Sequence, residues 1–350
     1  MNTSNTLFAK DTTGATPVKL SSVLSSKDFF NNFLCRISSK FRMNYKIDPG
    51  LYTIGNPTSD SPVLVTANYK LTVNVLRAEL EKFDIWLLVI DTRGINVWCA
   101  AGKGTFCTKE IVKQIKSSDL LSKVEHDQLI LPQLGASGVN SWKLYKESGF
   151  NVKFGPVRAS DIPVYLQNNF TATQEMRRVR FGFTDRAKLV PMEAIPAFKS
   201  AFLVILCIAV LSGITKEGVI FKKAIGGVLP FAIAGLTSIL TGTILTPLLL
   251  PVIPFRAFSI KGLFTGIAGL LLLLFFIPVF RSNPCLLAVS LIVVPAYSSY
   301  LALLFTGSTT YTSPSGVKKE MKAALPVYLI CAGISIVLCL LYFVNFWGIL

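Results

Sequence analysis

The chain has 350 residues, enough for two domains of ordinary size, and its 35 Lys and Arg against 19 Asp and Glu give a formal charge of +16. A single histidine excludes any metal site built from several imidazoles. The basic excess comes with no nucleic-acid-binding motif, so nucleic acid is not an expected partner.

The opening MNTSNTLFAKDTTGATPVKL lacks an apolar core, so no cleavable signal is expected. Residues 1–60 are rich in Ser, Thr and Asn and are expected to form an N-terminal extension, partly irregular, that wraps the domain behind it. From there, short apolar runs alternate with helical patterns. VLVT (63–66) predicts a strand and LTVNVLRAELEKF (71–83) an amphipathic helix. IWLLVID (85–91) is continuously apolar, as in a strand buried on both faces. TKEIVKQIKSSDLLSK (108–123) predicts a helix with Thr108 as its N-cap. LILP (129–132) predicts a third strand, VNSWKLYKESG (139–149) a helix closed by Gly149, NVKFGPV (151–157) a fourth strand and ASDIPVYLQNN (159–169) a last helix. Strand–helix alternation with short turns predicts a parallel α/β sheet over 61–170. Ligands of such sheets bind outside the carboxyl ends of the strands. Four segments fall there: Thr66–Asn68, Asp91–Phe106, Pro132–Gly138 and Gly155–Ala159.

Residues 171–197 read as a basic linker, and the charges then almost vanish: after Lys199 only Glu217 and Glu320 are acidic. A helix needs about 20 apolar residues to cross a bilayer. Five spans are predicted, near 198–215, 226–247, 259–280, 285–306 and 325–347, making 198–350 an all-α membrane domain. The prolines of TPLLLPVIP (246–254) predict a break after the second span. Arg177, Arg178, Arg180, Arg186, Lys188, Lys199, Arg256, Lys261, Lys318, Lys319 and Lys322 fall on one side, against Lys216, Lys222, Lys223 and Arg281 on the other. That imbalance predicts a multi-pass protein of the cytoplasmic (inner) membrane, its N-terminal domain in the cytoplasm and its C-terminus outside. Cys207, Cys285, Cys331 and Cys339 lie in the spans and read as small apolar side chains.

Within DTRGINVWCAAGKGTF (91–106), Cys99 has no companions. Cys107 lies eight residues on, Cys35 far upstream, and His126 sits in the charged KVEHDQ connection. Zinc and iron–sulfur centres need several such ligands at close spacing, and neither a C-x-x-C pair nor a G-x-x-x-x-G-K-[ST] loop is present. Two readings remain. Cys99 is a structural thiol, or it is a single ligand to a metal that arrives with its others in place, as in a tetrapyrrole-type cofactor. Ala100, Ala101, Gly102 and Gly104 would let the backbone lie close to a macrocycle, and a short helix starting near Cys99 would aim its positive end at the sulfur.

NVWCAAGKG (96–104) resembles the signature of the mercury-methylating corrinoid membrane proteins, the HgcA family, and the whole of 91–106 resembles the corrinoid domain of the corrinoid iron–sulfur protein large subunit. The resemblance extends over roughly 60–350, and the five spans favour the first family. It implies a Rossmann-like cobalamin-binding domain in which a cap helix lies under base-off cobalamin. Cys99 matches the lower axial ligand to cobalt, and Asn96, Val97, Trp98, Ala100, Ala101, Gly102 and Lys103 match the other motif positions. By fold analogy Thr66, Thr92, Gly94, Gln133, Leu134, Gly135, Ala136, Gly155, Pro156, Val157 and Arg158 would hold the corrin edge and nucleotide tail. The D-x-H-x-x-G motif of histidine-on corrinoid proteins is absent, as is any cysteine cluster for an internal iron–sulfur centre. The implied electron donor is therefore the family's ferredoxin-like iron–sulfur partner, HgcB, and also a possible mercury carrier. The implied reaction is corrinoid-dependent methyl transfer from a folate-type donor to Hg(II), with the spans as an anchor or a mercury path through Cys207. Two other readings stay open: a methyl carrier with a different acceptor, and a membrane transporter with a regulatory cytoplasmic domain.

Overall fold

A computed structural model describes residues 16–215, 218–219 and 221–347. The start of the N-terminal extension, Lys216 and the side chains of Lys222 and Lys223, all used above, lie outside the described residues. The chain divides into two compact units, Met1–Arg180 and Phe181–Leu350.

The first unit contains, in chain order, β1 (Val18–Lys19), α1 (Ser26–Ile37), α2 (Ser39–Asn44), β2 (Gly50–Ile54), β3 (Val63–Ala67), α3 (Lys70–Glu79), β4 (Ile85–Ile90), α4 (Val97–Gly102), α5 (Thr108–Ser117), β5 (Gln128–Leu131), α6 (Ser141–Ser148), β6 (Asn151–Phe154) and α7 (Ile162–Gln167). The strands form one sheet in the order β1-β2-β4-β3-β5-β6. β4, β3, β5 and β6 run parallel, with Val63 opposite both Trp86 and Leu129. β2 joins β4 antiparallel.

Side-chain alternation along the strands builds two cores. Val63, Val65, Trp86, Leu88 and Ile90 face α4, α5 and α6 through Ala100, Ile111, Val112 and Leu144. Leu64, Ile85, Leu87 and Val89 face α3 and α7 through Val73, Leu76, Leu80 and Tyr165. Every residue of β3 and β4 is buried, which is why their sequences are continuously apolar rather than alternating.

Over 18–54 the extension carries β1, α1, α2 and β2, with irregular stretches between them. One cap differs from the sequence reading. The N-cap of α5 is Cys107, which makes no side-chain cap, whereas Thr108 starts the helix and its Oγ1 accepts the Asn140 N–H at 2.8 Å. That bond ties α5 to the start of α6. Gly149 closes α6 at φ 78°, as its sequence position predicts.

α1 is fixed through its first turn. Ser25 Oγ accepts the Asp28 N–H, Asp28 accepts the Ser25 N–H at 3.0 Å, and Asp28 pairs with Arg77 at 2.8 Å. Burial pushes the Asp28 carboxyl up, but the bonds from Ser25 and Arg77 outweigh it and hold the group below its ordinary value. The unfolded chain therefore binds the proton more readily. Asp28 contributes stability that is present above the ordinary carboxylate value of about 3.9 and is lost as pH falls through the lower folded value. Asp28→Asn is expected to lower the melting temperature at pH 7, and the gap to wild type closes in acid; thermal melts across pH read this directly.

The second unit holds α8 (Phe183–Ala187), α9 (Val190–Gly213), α10 (Phe221–Ile239), α11 (Thr246–Leu248), α12 (Phe258–Phe276), α13 (Val279–Ser282), α14 (Pro284–Leu304) and α15 (Pro314–Phe346). Among the described residues, five segments are long and apolar enough to cross a bilayer: Phe183–Gly213, Ala224–Leu248, Phe258–Phe276, Pro284–Gly307 and Ser315–Phe346. The first and last start well before their apolar runs, because charged residues continue the helix. The third ends at Phe276, short of the predicted 280, because Pro278 forces Ile277 into extended geometry (φ −124°, ψ 90°). α10, α12 and α14 form the centre: 44–56% of their apolar windows is buried, against 11% for α9 and α15.

α12 and α14 approach closely at small residues. A Cβ on Gly262 would stand 2.4 Å from the Ala302 Cβ, and one on Gly266 2.8 Å from the Pro295 Cα. The chain after α10 winds through a π-helical turn, Leu240–Leu245, and breaks after Leu248, within TPLLLPVIP as predicted. Backbone carbonyls freed by a break need donors where water is absent. The buried Lys261 ammonium donates to the Leu250 and Ile253 carbonyls at 2.6 and 2.5 Å. Arg186 likewise donates to Phe181 and Leu248 carbonyls. These two cations, counted above for orientation, are engaged inside the unit.

Candidate corrinoid site

The site is built on the turn between β4 and α4. The Asn68 side chain, buried at the carboxyl end of β3, organises it. Its Oδ1 accepts the Thr92 N–H at 3.0 Å and the Gly94 N–H at 2.9 Å, and stands 2.9 Å from the Thr92 hydroxyl. Its Nδ2 donates to Asp91, which also accepts the Arg93 N–H. Arg93 and Gly94 both have positive φ, 61° and 75°, so the chain reverses sharply here and delivers α4 over the end of the sheet.

Asn96 caps α4 by accepting the Cys99 N–H at 2.9 Å. The helix thus starts two residues before Cys99, which lies within its first turn. Ala100 and Ala101 are buried in the core, and Val97 is 7% exposed. Asn96, Cys99, Gly102 and Lys103 are all exposed and share one face of the helix at i, i+3 and i+4 spacing. A Cβ on Gly102 would meet nothing within 4 Å. Gly104, at φ 74°, ends the helix, and the Thr105 and Phe106 N–H groups close back on the Ala100 carbonyl.

The Gln133–Gly138 turn braces α4 from below. A Cβ on Gly135 would stand 2.5 Å from the Phe106 ring, and one on Gly138 2.1 Å from the Phe106 carbonyl oxygen and 3.2 Å from the Ala101 Cα. Gly138→Val is therefore expected to displace α4 and to cost about 1–3 kcal/mol or more. Gly102→Ala is expected to leave the melting temperature unchanged while placing a methyl on the open face. Thermal melts of both, beside corrinoid titrations, check the contrast.

The predicted strand-end segments do converge. The chain passes from β3 to β4 on one side and then to β5 on the other, so the sheet switches direction at β3. A cleft of about 290 Å³ lies there. It is lined by Thr66, Asn96, Val97, Trp98, Leu134, Gly155, Pro156 and Val157 among the predicted residues, together with Thr72, Leu76 and Ile162. Trp98, 44% exposed, links this cleft to the Cys99 face. The other predicted residues stand outside its lining. Thr92 and Gly94 belong to the Asn68 turn. Gly135 supports Phe106, and Ala136 bonds Val139 within the turn. Gln133 accepts from Arg177 at 2.9 Å, and Arg158 donates to the Arg180 carbonyl. His126 lies at the opposite end of the sheet, before β5, where Nδ1 accepts the Gln128 N–H and Nε2 donates to the Ser61 carbonyl.

Sequence reasoning placed Asn68 at a strand end but gave it no part in forming the site. Its signal was present: a lone polar side chain ending the apolar run VLVTA.

Residues 36–166 match the family model described as CO dehydrogenase/acetyl-CoA synthase delta subunit. The acetyl-CoA decarbonylase/synthase complex subunit gamma of Methanopyrus kandleri is 37% identical over 124 residues, covering 35% of this chain and 26% of that protein. The corresponding subunit of Methanosarcina acetivorans is 33% identical over 133 residues, covering 37% and 28%. The corrinoid/iron–sulfur protein large subunit of Moorella thermoacetica is 34% identical over 129 residues, covering 36% and 28%. The chain thus spans about a quarter of the length of these relatives. The first unit contains a domain similar to the corrinoid iron–sulfur protein large subunit. Joined to five candidate membrane helices, that domain has an architecture that fits the HgcA-like one.

The residues fit a corrinoid. The free Cys99 thiol is exposed, the small residues behind it are packed inward, and the Gly102 surface leaves room for a flat macrocycle.

Proposed function

We propose that this chain is a membrane-anchored, corrinoid-dependent methyltransferase that delivers a methyl group to Hg(II), forming methylmercury. The exposed Cys99 thiol on the open face of α4, beside the switch-point cleft, carries the reading. Cobalamin would supply a cobalt centre and a transferable methyl group. Cys99 would hold that cobalt through its sulfur. A thiolate donates electron density more strongly than imidazole or water, which suits delivery of the methyl to an electrophile such as Hg(II).

The rest of the motif serves that sulfur. Asn96 fixes the Cys99 backbone, Val97, Ala100 and Ala101 anchor the helix, and Gly102 and Lys103 flank the open surface. Thr66, Trp98, Leu134, Gly155, Pro156 and Val157 would meet the corrin edge or nucleotide tail. Thr92, Gly94, Gln133, Gly135, Ala136 and Arg158 would act from behind them. The proposed electron donor is an external ferredoxin-like iron–sulfur protein, HgcB in the resembled family, and the methyl source a folate-type donor. The membrane unit anchors the site, with the soluble unit on the cytoplasmic side.

A methyl carrier with another acceptor is the second reading, favoured by the names of the relatives, which concern acetyl-CoA chemistry. Assaying methylmercury formation by the corrinoid-loaded chain with its reduced iron–sulfur partner separates the two. Methylmercury produced by wild type and lost in Cys99→Ala supports the proposal. Loading with corrinoid and methyl but no methylmercury turns the assignment to the other acceptor.

A further inference from the structure

Helix α1 is turned inside out for the surface of a soluble domain. Two of its inward contacts are polar: Asp28 pairs with Arg77 at 2.8 Å, and Asn32 accepts from the buried Asn74 at 2.9 Å. Cys35 is its one buried residue. The outward side carries Phe29, Phe30 and Phe33, which are 62%, 59% and 57% exposed. At 3.6 residues per turn Phe29, Phe33 and Arg36 fall in one stripe with Phe30 beside it. Three Phe rings on one exposed face mark a docking surface rather than scattered surface apolarity.

The surrounding charge selects the occupant. From Ser26 to Ile47 the cations are Lys27, Arg36, Lys40, Arg42 and Lys46, and Asp28 is the only acidic residue. Asp28 is already paired with Arg77. A helix with aromatic rings between basic residues matches an anionic lipid interface. The same chain carries five candidate membrane helices, so a bilayer is always within its reach.

We propose that the Phe29, Phe30 and Phe33 face of α1 docks on the anionic surface of the membrane, its rings entering between headgroups and Lys27, Arg36 and Lys40 meeting lipid phosphates. This would restrain the soluble unit at the membrane surface independently of any bound corrinoid.

The test uses the full chain, free of corrinoid, in nanodiscs of phosphatidylcholine with or without phosphatidylglycerol. A photoactivatable phosphatidylglycerol is cross-linked, and the labelled peptides are mapped by mass spectrometry. Labelling of 26–37 is expected in the anionic discs. It should fall about tenfold in the Phe29→Ser, Phe30→Ser, Phe33→Ser triple variant, and part-way in Lys27→Glu, Lys40→Glu. The three rings are exposed, so far-UV circular dichroism should show the triple variant folded. Absent labelling, or labelling unchanged in the folded triple variant, overturns the proposal. So does a protein cross-linker joining α1 to a second chain in place of lipid. None of these outcomes touches the assignment of Cys99.

Discussion

Asn68→Leu is expected to lose corrinoid binding and to destabilise the first unit by about 2–6 kcal/mol, the cost of leaving two buried N–H donors unmade. Those donors are the backbone amides of Thr92 and Gly94, both of which end on Asn68 Oδ1. Leu has about the right volume and offers no acceptor. The turn then has no reason to hold Arg93 and Gly94 at positive φ, and α4 loses its placement. Asn68→Asp keeps the acceptor but sets a second carboxylate beside Asp91, whose Oδ1 now accepts from Asn68 at 3.0 Å. Combining Asn68→Asp with Asp91→Asn restores one donor and one acceptor. The double variant should recover much of the stability that either single loses. Chemical denaturation of wild type, the three single variants and the double variant, with corrinoid titration alongside, reads both effects. Equal stability of wild type and Asn68→Leu would show that the turn is held by something else.

Cys99→Ala is expected to behave in the opposite way. The Cys99 side chain is exposed and its helix is held by Asn96, Ala100 and Ala101, so the variant should fold and melt like wild type. Its methyl transfer to Hg(II) should drop by at least about a hundredfold, since even partners one shell out from a metal cost 10–100-fold when removed. Cys99→His supplies a ligand of the wrong donor strength and should also fail. Either variant retaining full mercury methylation would sink the axial-ligand account. The two substitutions thus separate the scaffold from the proposed chemistry: Asn68 holds the turn, and the proposal assigns the cobalt ligand to Cys99.

The α/β core was legible in the sequence because its periodicities are undiluted. IWLLVI can only be a strand covered on both faces, and the parity of its residues in the two cores agrees with that. The convergence of Thr66, Trp98, Leu134 and Gly155 on one cleft followed from the strand-end rule alone. β2 was not legible: GLYTI is five residues within a polar extension, and its place depends on pairing with β4, which no local signal announces. α1 was not legible for a different reason. Phe29, Phe30 and Phe33 point outward while Asp28 and Asn32 are engaged inward, so its aromatic stripe does not mark the core. In the membrane unit, apolar length found the spans but not their ends. Lys261 looked like a cation at a span end, whereas its ammonium satisfies carbonyls freed by the break that the prolines of TPLLLPVIP announced. The part played by Thr92 and Gly94 rests on a hydrogen-bond centre 24 and 26 residues away, a relation only the folded chain displays.

The most direct measurement of the central claim is the visible spectrum of the purified chain loaded with cobalamin, compared between wild type and Cys99→Ala. The account predicts that the wild-type spectrum reports a sulfur ligand on cobalt and that the variant, folded and with its cleft intact, gives the spectrum of a corrinoid lacking it. Identical spectra from the two loaded proteins would contradict the account, and so would a wild-type chain that takes up no corrinoid.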